Sequence, residues 1–442
     1  MKAIIHPARA VALGFLLTIL FGTVLLALPM ARAGGEPAPL FTAFFTAVSA
    51  VCVTGMVTVD TGTYWSTFGQ VAIMLLFQMG GFGMMTAATL LGLMVNRSPR
   101  LRSRMMTQTE TRSLALGDVA SIARVVLVVT VVAQTLIFAI LMLRLHYGHG
   151  LAWQEAAWSG LFHAVSAFNN AGFSIHADGL MRYAGDALVL LPIMLGFMVG
   201  GIGFPVLHDL RQRRSDARRW SLHTKLTLSG SAVLLIGGFL AVLFFEWGNA
   251  QTLGPLGVAD KMLNSLFMSA AARTSGFNTV DIASLHQETW ALHYFLMFIG
   301  GGSASTAGGV KVATIVVLFL LVLAEVRGQS DPEAYGRRVG ASAQRQAITV
   351  LVLGSVLVVA GTVILLRVTD FPTDQIIFEV IAAFSTAGLS TGITAQLPVS
   401  GQLVLLVLMF FGRVGTITLA TSLVLGERRM PYRYPEEHPI VG

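Results

Sequence analysis

Four short stretches of this chain end in small or polar residues and a glycine suited to holding a bare cation, at Gly55, Gly172, Gly276 and Gly388. Each ends in glycine and closes a short apolar segment: FTAVSAVCVTGM (45–56), FHAVSAFNNAGF (162–173), LFMSAAARTSGF (266–277) and FEVIAAFSTAGL (378–389). The glycines lie 117, 104 and 112 residues apart, close to a quarter of the chain each time. Glycine lets a backbone turn its carbonyls toward an axis without a side-chain clash. Rings of such oxygens can replace the water shell of an alkali cation. The chemistry indicated is ion coordination by main-chain oxygen, with Thr54-Gly55 forming one quarter of a selectivity filter.

Such loops need a scaffold inside a bilayer, and the composition supplies it. Of 442 residues, 55% are hydrophobic and 12% charged, with a mean hydropathy of +0.73. Soluble domains carry about 25% charged residues. Membrane-length apolar runs are expected near 11–28, 70–95, 118–143, 185–206, 226–245, 290–324, 347–366 and 401–425, each approaching or exceeding the ~20 residues of a spanning helix. Shorter runs near 40–52, 156–168, 261–272 and 376–385 read as re-entrant half-helices.

Each half-helix is followed 25 to 29 residues beyond its glycine by a second small-residue string: MGGFG (79–83), VGGIG (199–203), IGGGS (299–303) and FGRVG (411–415). The reading is an all-α polytopic membrane protein of four units, 1–96, 97–208, 209–327 and 328–442, each helix, half-helix, glycine loop, helix. Non-helical backbone at membrane depth is tolerated only where protein buries it or water reaches it, so four such loops should surround one axis. Glu36, Glu155, Asp260 and Asp374 lie 14 to 19 residues before the glycines. They suit the positive ends of the half-helices and leave the negative dipole ends facing a cation path.

Charge placement sets an orientation and excludes other classes. Of 29 Lys and Arg, 20 fall in alternate loops and six on the other side, which places both termini in the cytoplasm. That pattern explains the net charge of +7 without nucleic acid. Lys2, Arg9, the Val11–Leu28 run and Ala31-Arg32-Ala33 imitate a secretory signal, but the repeat needs a retained helix there. The single Cys52 excludes an internal disulfide and is expected to pack behind the first loop. His163 and His176 near the second loop read as packing residues rather than metal ligands. No Walker ending occurs, because Lys311 is followed by Val312. The segment Gly300, Gly301, Gly302, Ser303, Ala304, Ser305, Thr306, Ala307, Gly308, Gly309 interrupts the sixth span with residues that disfavour a continuous helix. Small residues equally suit close helix packing.

With its motifs in this order and spacing, the chain resembles the Trk/Ktr/HKT superfamily of potassium transporters over nearly its whole length. It is most similar to the Ktr-type membrane subunit. The resemblance implies potassium (K+) uptake, often sodium (Na+) dependent, across the bacterial inner membrane. It implies a homodimer with one pore per protomer and a cytoplasmic RCK-type nucleotide-binding regulatory ring (KtrA-type), the nucleotide sitting on that partner. Carried over from that family, the filter triplets would be Val53, Thr54 and Gly55; Asn170, Ala171 and Gly172; Thr274, Ser275 and Gly276; and Thr386, Ala387 and Gly388, holding K+ through backbone carbonyls. Glycine in all four loops would favour potassium over sodium. Gly300–Gly309 with Lys311 would form an intramembrane gating loop, and Arg413, standing where other units have Gly81, Gly201 and Gly301, a positive barrier in the pore.

Asp60 and Asp281, each five residues after a loop glycine, are candidates for an electronegative mouth and for shielding Arg273; turn capping is the equal alternative. The basic loops 97–112 and 211–225 fit the anionic inner membrane surface and are candidate docking sites for the ring. The tail at 428–442 is a candidate dimer contact. Two rivals stand beside the ion pathway. A secondary carrier for a small organic solute would show twofold rather than fourfold self-similarity, and a membrane enzyme would need clustered intramembrane carboxylates or histidines.

Overall fold

The computed structural model describes residues 7–96, 117–213, 216–329 and 331–415. The loop at 97–112, the tail at 428–442 and the far half of the last span lie outside the described residues.

A long helix, a short helix, a glycine loop and a second long helix follow one another four times. The short helices are Leu40–Val51, Trp153–Asn169, Val258–Ala271 and Thr373–Phe384, close to where short apolar runs place them. Three carry an acidic residue in the first turn (Glu155, Asp260, Asp374). Glu36 instead precedes its helix and pairs with Arg32 at 3.2 Å.

The preceding long helices are Pro7–Ala27, Gly117–His149, Leu222–Glu246 and Ala341–Val368. The last three contain stretches long and apolar enough to cross a bilayer unbroken. Their outer faces expose Leu127, Val131, Val233, Phe244, Val356 and Val363. Such apolar surface is stable only against lipid, so the chain is a polytopic membrane protein.

The second long helices differ among units, and not all as the hydropathy suggests. Thr67–Asn96 runs 30 residues. The run expected at 185–206 instead ends at Ile202, turns through 93° and resumes as Phe204–Arg213. Gly203 sits at the corner with φ +101°, outside the helical range. The 290–324 run is Gln287–Phe298 and Val312–Val326 with non-helical chain between. Val399–Phe410 ends in a π-turn over Phe411–Gly415 that carries Arg413.

Three large apolar clusters join the units into a ring. One packs Phe45, Val48 and Phe77 of the first unit with Val380, Phe384 and Leu405 of the fourth. Another packs Phe197 of the second with Phe267 and Ala271 of the third, and a third packs Leu296 and Met297 with Phe378 and Ala382. First and last units therefore meet, which closes the circle. The only strands among the described residues are a two-residue hairpin, Glu333–Ala334 with Arg337–Arg338.

Candidate functional site

The short helices end by a shared device. In units one, two and four the second loop residue donates its N–H five residues back: Thr54 to Ser49, Ala171 to Ser166 and Ala387 to Ala382, each at 2.8 Å. The third departs, Ser275 donating to Ala271 at 3.0 Å. Satisfying these carbonyls forces the first residue of each triplet into positive φ: Val53 56°, Asn170 58°, Thr274 103° and Thr386 51°. The glycines are also positive, at 87°, 68°, 72° and 78°, while the middle residues are not. β-Branched residues rarely adopt such angles, at a cost on the order of 1–3 kcal/mol each. Alternating φ turns successive carbonyls toward one side.

The four triplets touch in cyclic order. A Cβ on Gly55 would run into the carbonyl of Ala171. One on Gly172 would lie 2.8 Å from the carbonyl of Ser275, and one on Gly276 3.0 Å from that of Ala387. One on Gly388 would strike the carbonyl of Thr54. Each glycine thus abuts the middle carbonyl of the next loop, and the fourth returns to the first. All twelve residues predicted from the sequence come together in this ring. The hydroxyls of Thr54 and Thr386 are buried with no hydrogen-bond partner among the described residues, leaving oxygen lone pairs free for a cation.

On one side the ring opens into a cavity of about 380 Å³ lined by all four glycines, with Asp60, His176 and Asn278. Asp60 also caps a turn, accepting from Thr63 N at 2.8 Å. Asp281 is exposed, caps Ile282–Ser284 and does not line the cavity. Neither shields Arg273, which donates to the Ser231 carbonyl at 3.2 Å. Beyond the second glycine, Arg182 holds Asp178 below the usual carboxylate range through hydrogen bonds of 2.6 to 3.0 Å. Burial, with Arg182 nearby, pushes His176 down to about 4.

On the other side lies the 300–309 segment. Gly302 N donates to Gly201 O at 2.8 Å and Thr306 N to Gly200 O at 3.2 Å, the unwound ending of the second unit. Gly300 lies against Thr274, and Gly308 against Ser385 and Thr386. Thr306 also reaches Asn170. The segment therefore crosses under triplets two, three and four. Two cations hold its middle: Arg413, fully buried, donates to the Thr306 carbonyl, and Lys311 Nζ donates to Ala307 O at 2.5 Å and Gly308 O at 3.3 Å. Among the described residues, Arg413 Nε and Nη2 have no hydrogen-bond partner. Cys52 is fully buried.

Sequence reasoning registered the glycine strings without seeing their purpose. A Cβ on Gly80, Gly200 or Gly412 would strike the carbonyl of Val51, Phe168 or Phe384, at the end of that unit's short helix. Glycine there lets the second helix touch the negative helix end. Reasoning also missed Glu379, buried behind the fourth loop; His163, equally buried behind the second, it read only as a packing residue.

Comparison with known proteins adds to this geometry. The family described as TrkH, cation transport protein, matches residues 10–428. The Ktr system potassium uptake protein B of Bacillus subtilis is 39% identical over 99% of this chain and 97% of its own. The potassium/sodium uptake protein NtpJ of Enterococcus hirae is 34% identical over 99% of this chain and 98% of its own. The crystal structure of the potassium transporter TrkH from Vibrio parahaemolyticus matches with a TM-score of 0.70 at 19% identity, covering 97% of this chain and 86% of that one; at that identity the match speaks to the fold.

Proposed function

The chain belongs to the TrkH family of cation transport proteins, and on that premise we propose that it takes potassium up across the bacterial inner membrane through the ring of four glycine loops. The observation that carries the reading is the cyclic contact in which each glycine meets the next loop's carbonyl. Carbonyls from Val53, Thr54, Asn170, Ala171, Thr274, Ser275, Thr386 and Ala387, with those of the four glycines, replace water around the ion. The unpartnered Thr54 and Thr386 hydroxyls offer further oxygens. The cavity above the ring serves as the outer vestibule, where Asp60 attracts cations.

Gly300–Gly309 closes the path beneath the ring, held by Lys311 and Arg413. Their charges, fixed on three successive carbonyls, oppose a cation leaving the filter. Opening requires the segment to leave Asn170, Gly200 and Gly201. A homodimer, a cytoplasmic RCK-type ring that binds nucleotide and moves the gate, both termini in the cytoplasm, and sodium dependence complete the proposal. These last elements rest on the family resemblance and the basic-loop pattern.

Rubidium uptake into liposomes holding the purified protein, with and without sodium, tests the reading. Uptake competed by potassium and abolished by Gly55→Asp supports it. Uptake of an organic solute without rubidium flux refutes it in favour of a carrier.

A further inference from the structure

The residues nine before the loop glycines in units two and four are His163 and Glu379. Both are buried, at 3% and 0% exposure, and both reach the residue two beyond their glycine. Glu379 Oε1 accepts from Ser390 Oγ at 2.6 Å and from Thr391 N at 2.8 Å; Oε2 accepts from Thr394 Oγ1 at 2.6 Å. His163 Nδ1 lies 2.7 Å from the Ser159 carbonyl, which can only accept, so that nitrogen carries the proton. Nε2 is then the acceptor and takes the Ser174 hydroxyl hydrogen at 2.9 Å.

Each of these short helices already fixes the inner end of its loop through backbone bonds, Ala387 to Ala382 and Ala171 to Ser166. The side chain one turn earlier fixes the outer end, so helix and loop form a closed brace around the triplet. The equivalent residues of the other units are Thr46 and Phe267. Among the described residues, neither forms a hydrogen bond to the segment after its glycine. Because the loops touch in the order one, two, three, four, the two braced loops face each other across the ring.

We propose that Glu379 and His163 are positioning residues whose diagonal braces hold loops two and four at a fixed separation and so set the preference for potassium over the smaller sodium ion. A loop free to move inward contracts around sodium, whereas a braced one does not. The inference rests on the transport reading above and goes further by naming what fixes the ring's width.

The test measures rubidium and sodium uptake by the full-length protein in liposomes, with KM and Vmax fitted for each ion. Ser390→Ala and Ser174→Ala each remove one bracing hydroxyl, along with the turn bond it accepts from Gly392 N or His176 N, and leave the Ala387–Ala382 and Ala171–Ser166 backbone bonds intact. Glu379→Gln replaces the Oε2 acceptor by a donor. Each is expected to lower the rubidium-to-sodium ratio about fivefold, the effect of one such hydrogen bond, mainly by lowering sodium KM. Phe267→Leu, at the unbraced equivalent position, leaves the ratio unchanged. If Glu379→Gln does not yield monodisperse protein, the two serine variants decide the matter. Ratios within twofold of the parent in folded serine variants, while the parent transports rubidium, overturn the brace alone. No rubidium uptake by the parent overturns the transport reading as well.

Discussion

Thr306 donates its hydroxyl hydrogen to Oδ1 of Asn170 across 2.8 Å. One atom pair thereby joins the proposed gate, in the third unit, to the proposed filter, in the second. The 306 carbonyl is held at the same time by Arg413 of the fourth unit. The proposed gate, filter and barrier are thus linked by direct contact, and a displacement of any one reaches the others.

Removing the crossing segment should open the path. Deleting Ser303–Gly308 is expected to raise rubidium flux, and Thr306→Val, which loses the Asn170 bond but keeps the volume, should raise it less. Flux unchanged or reduced in protein that elutes as a single species would argue that the segment is a packing surface.

Arg413→Ala should raise maximal flux by roughly tenfold, since a unit charge near the path opposes a passing cation by on the order of 1–4 kcal/mol. Arg413→Lys keeps the charge and should stay close to the parent. Equal flux in all three proteins, measured at equal reconstituted amounts, would show that the guanidinium serves packing alone.

Gly55 has φ +87°, and a Cβ there meets the Ala171 carbonyl. Gly55→Ser should destabilise the protein by about 1–3 kcal/mol. It should also narrow the difference between potassium and sodium uptake, because it pushes apart loops one and two. Thermal unfolding in detergent and competition of rubidium uptake by sodium report the two effects separately.

His176 lines the cavity beside the glycine ring, with its folded pKa pushed down to about 4 by burial and Arg182, against an unfolded value of about 6.5. A lowered histidine pKa means that the unfolded chain binds the extra proton first. Stability is therefore full above about pH 6.5 and falls as pH drops toward about 4. With part of the ring solvent-screened, the loss should be about 1–2 kcal/mol. Melting temperature measured between pH 7 and 4 should fall more gently in His176→Gln than in the parent; parallel curves would exclude this histidine as the cause.

Much of the site was legible before folding was considered, because filter loops repeat by residue type. The spacing of Gly55, Gly172, Gly276 and Gly388 located all four triplets within the contacting ring. The anomalous Lys311 and Arg413 stood out because charges inside an apolar run need polar company. The Gly203 corner was not legible, since Val199-Gly200-Gly201-Ile202 is apolar enough to continue a helix. Glu379 was also hidden: its donors in Ser390, Thr391 and Thr394 become neighbours only when chain beyond the glycine folds back along the short helix.

The amino-acid sequence by itself determined that this chain lives in a bilayer, that it is built from four like units, and that the four glycine loops and the 300–309 stretch depart from helix. Hydropathy and glycine placement are properties of composition along the chain, and they survive without knowledge of contacts. Tertiary structure decided the cyclic order of the loops, the crossing of 300–309 beneath three of them, and the anchoring of that segment by Arg413. The bonds of Thr306 to Asn170 and of Arg413 to Thr306 join residues more than a hundred positions apart. Only the closing of the ring, driven by burial of the apolar faces between units, brings them within hydrogen-bond reach.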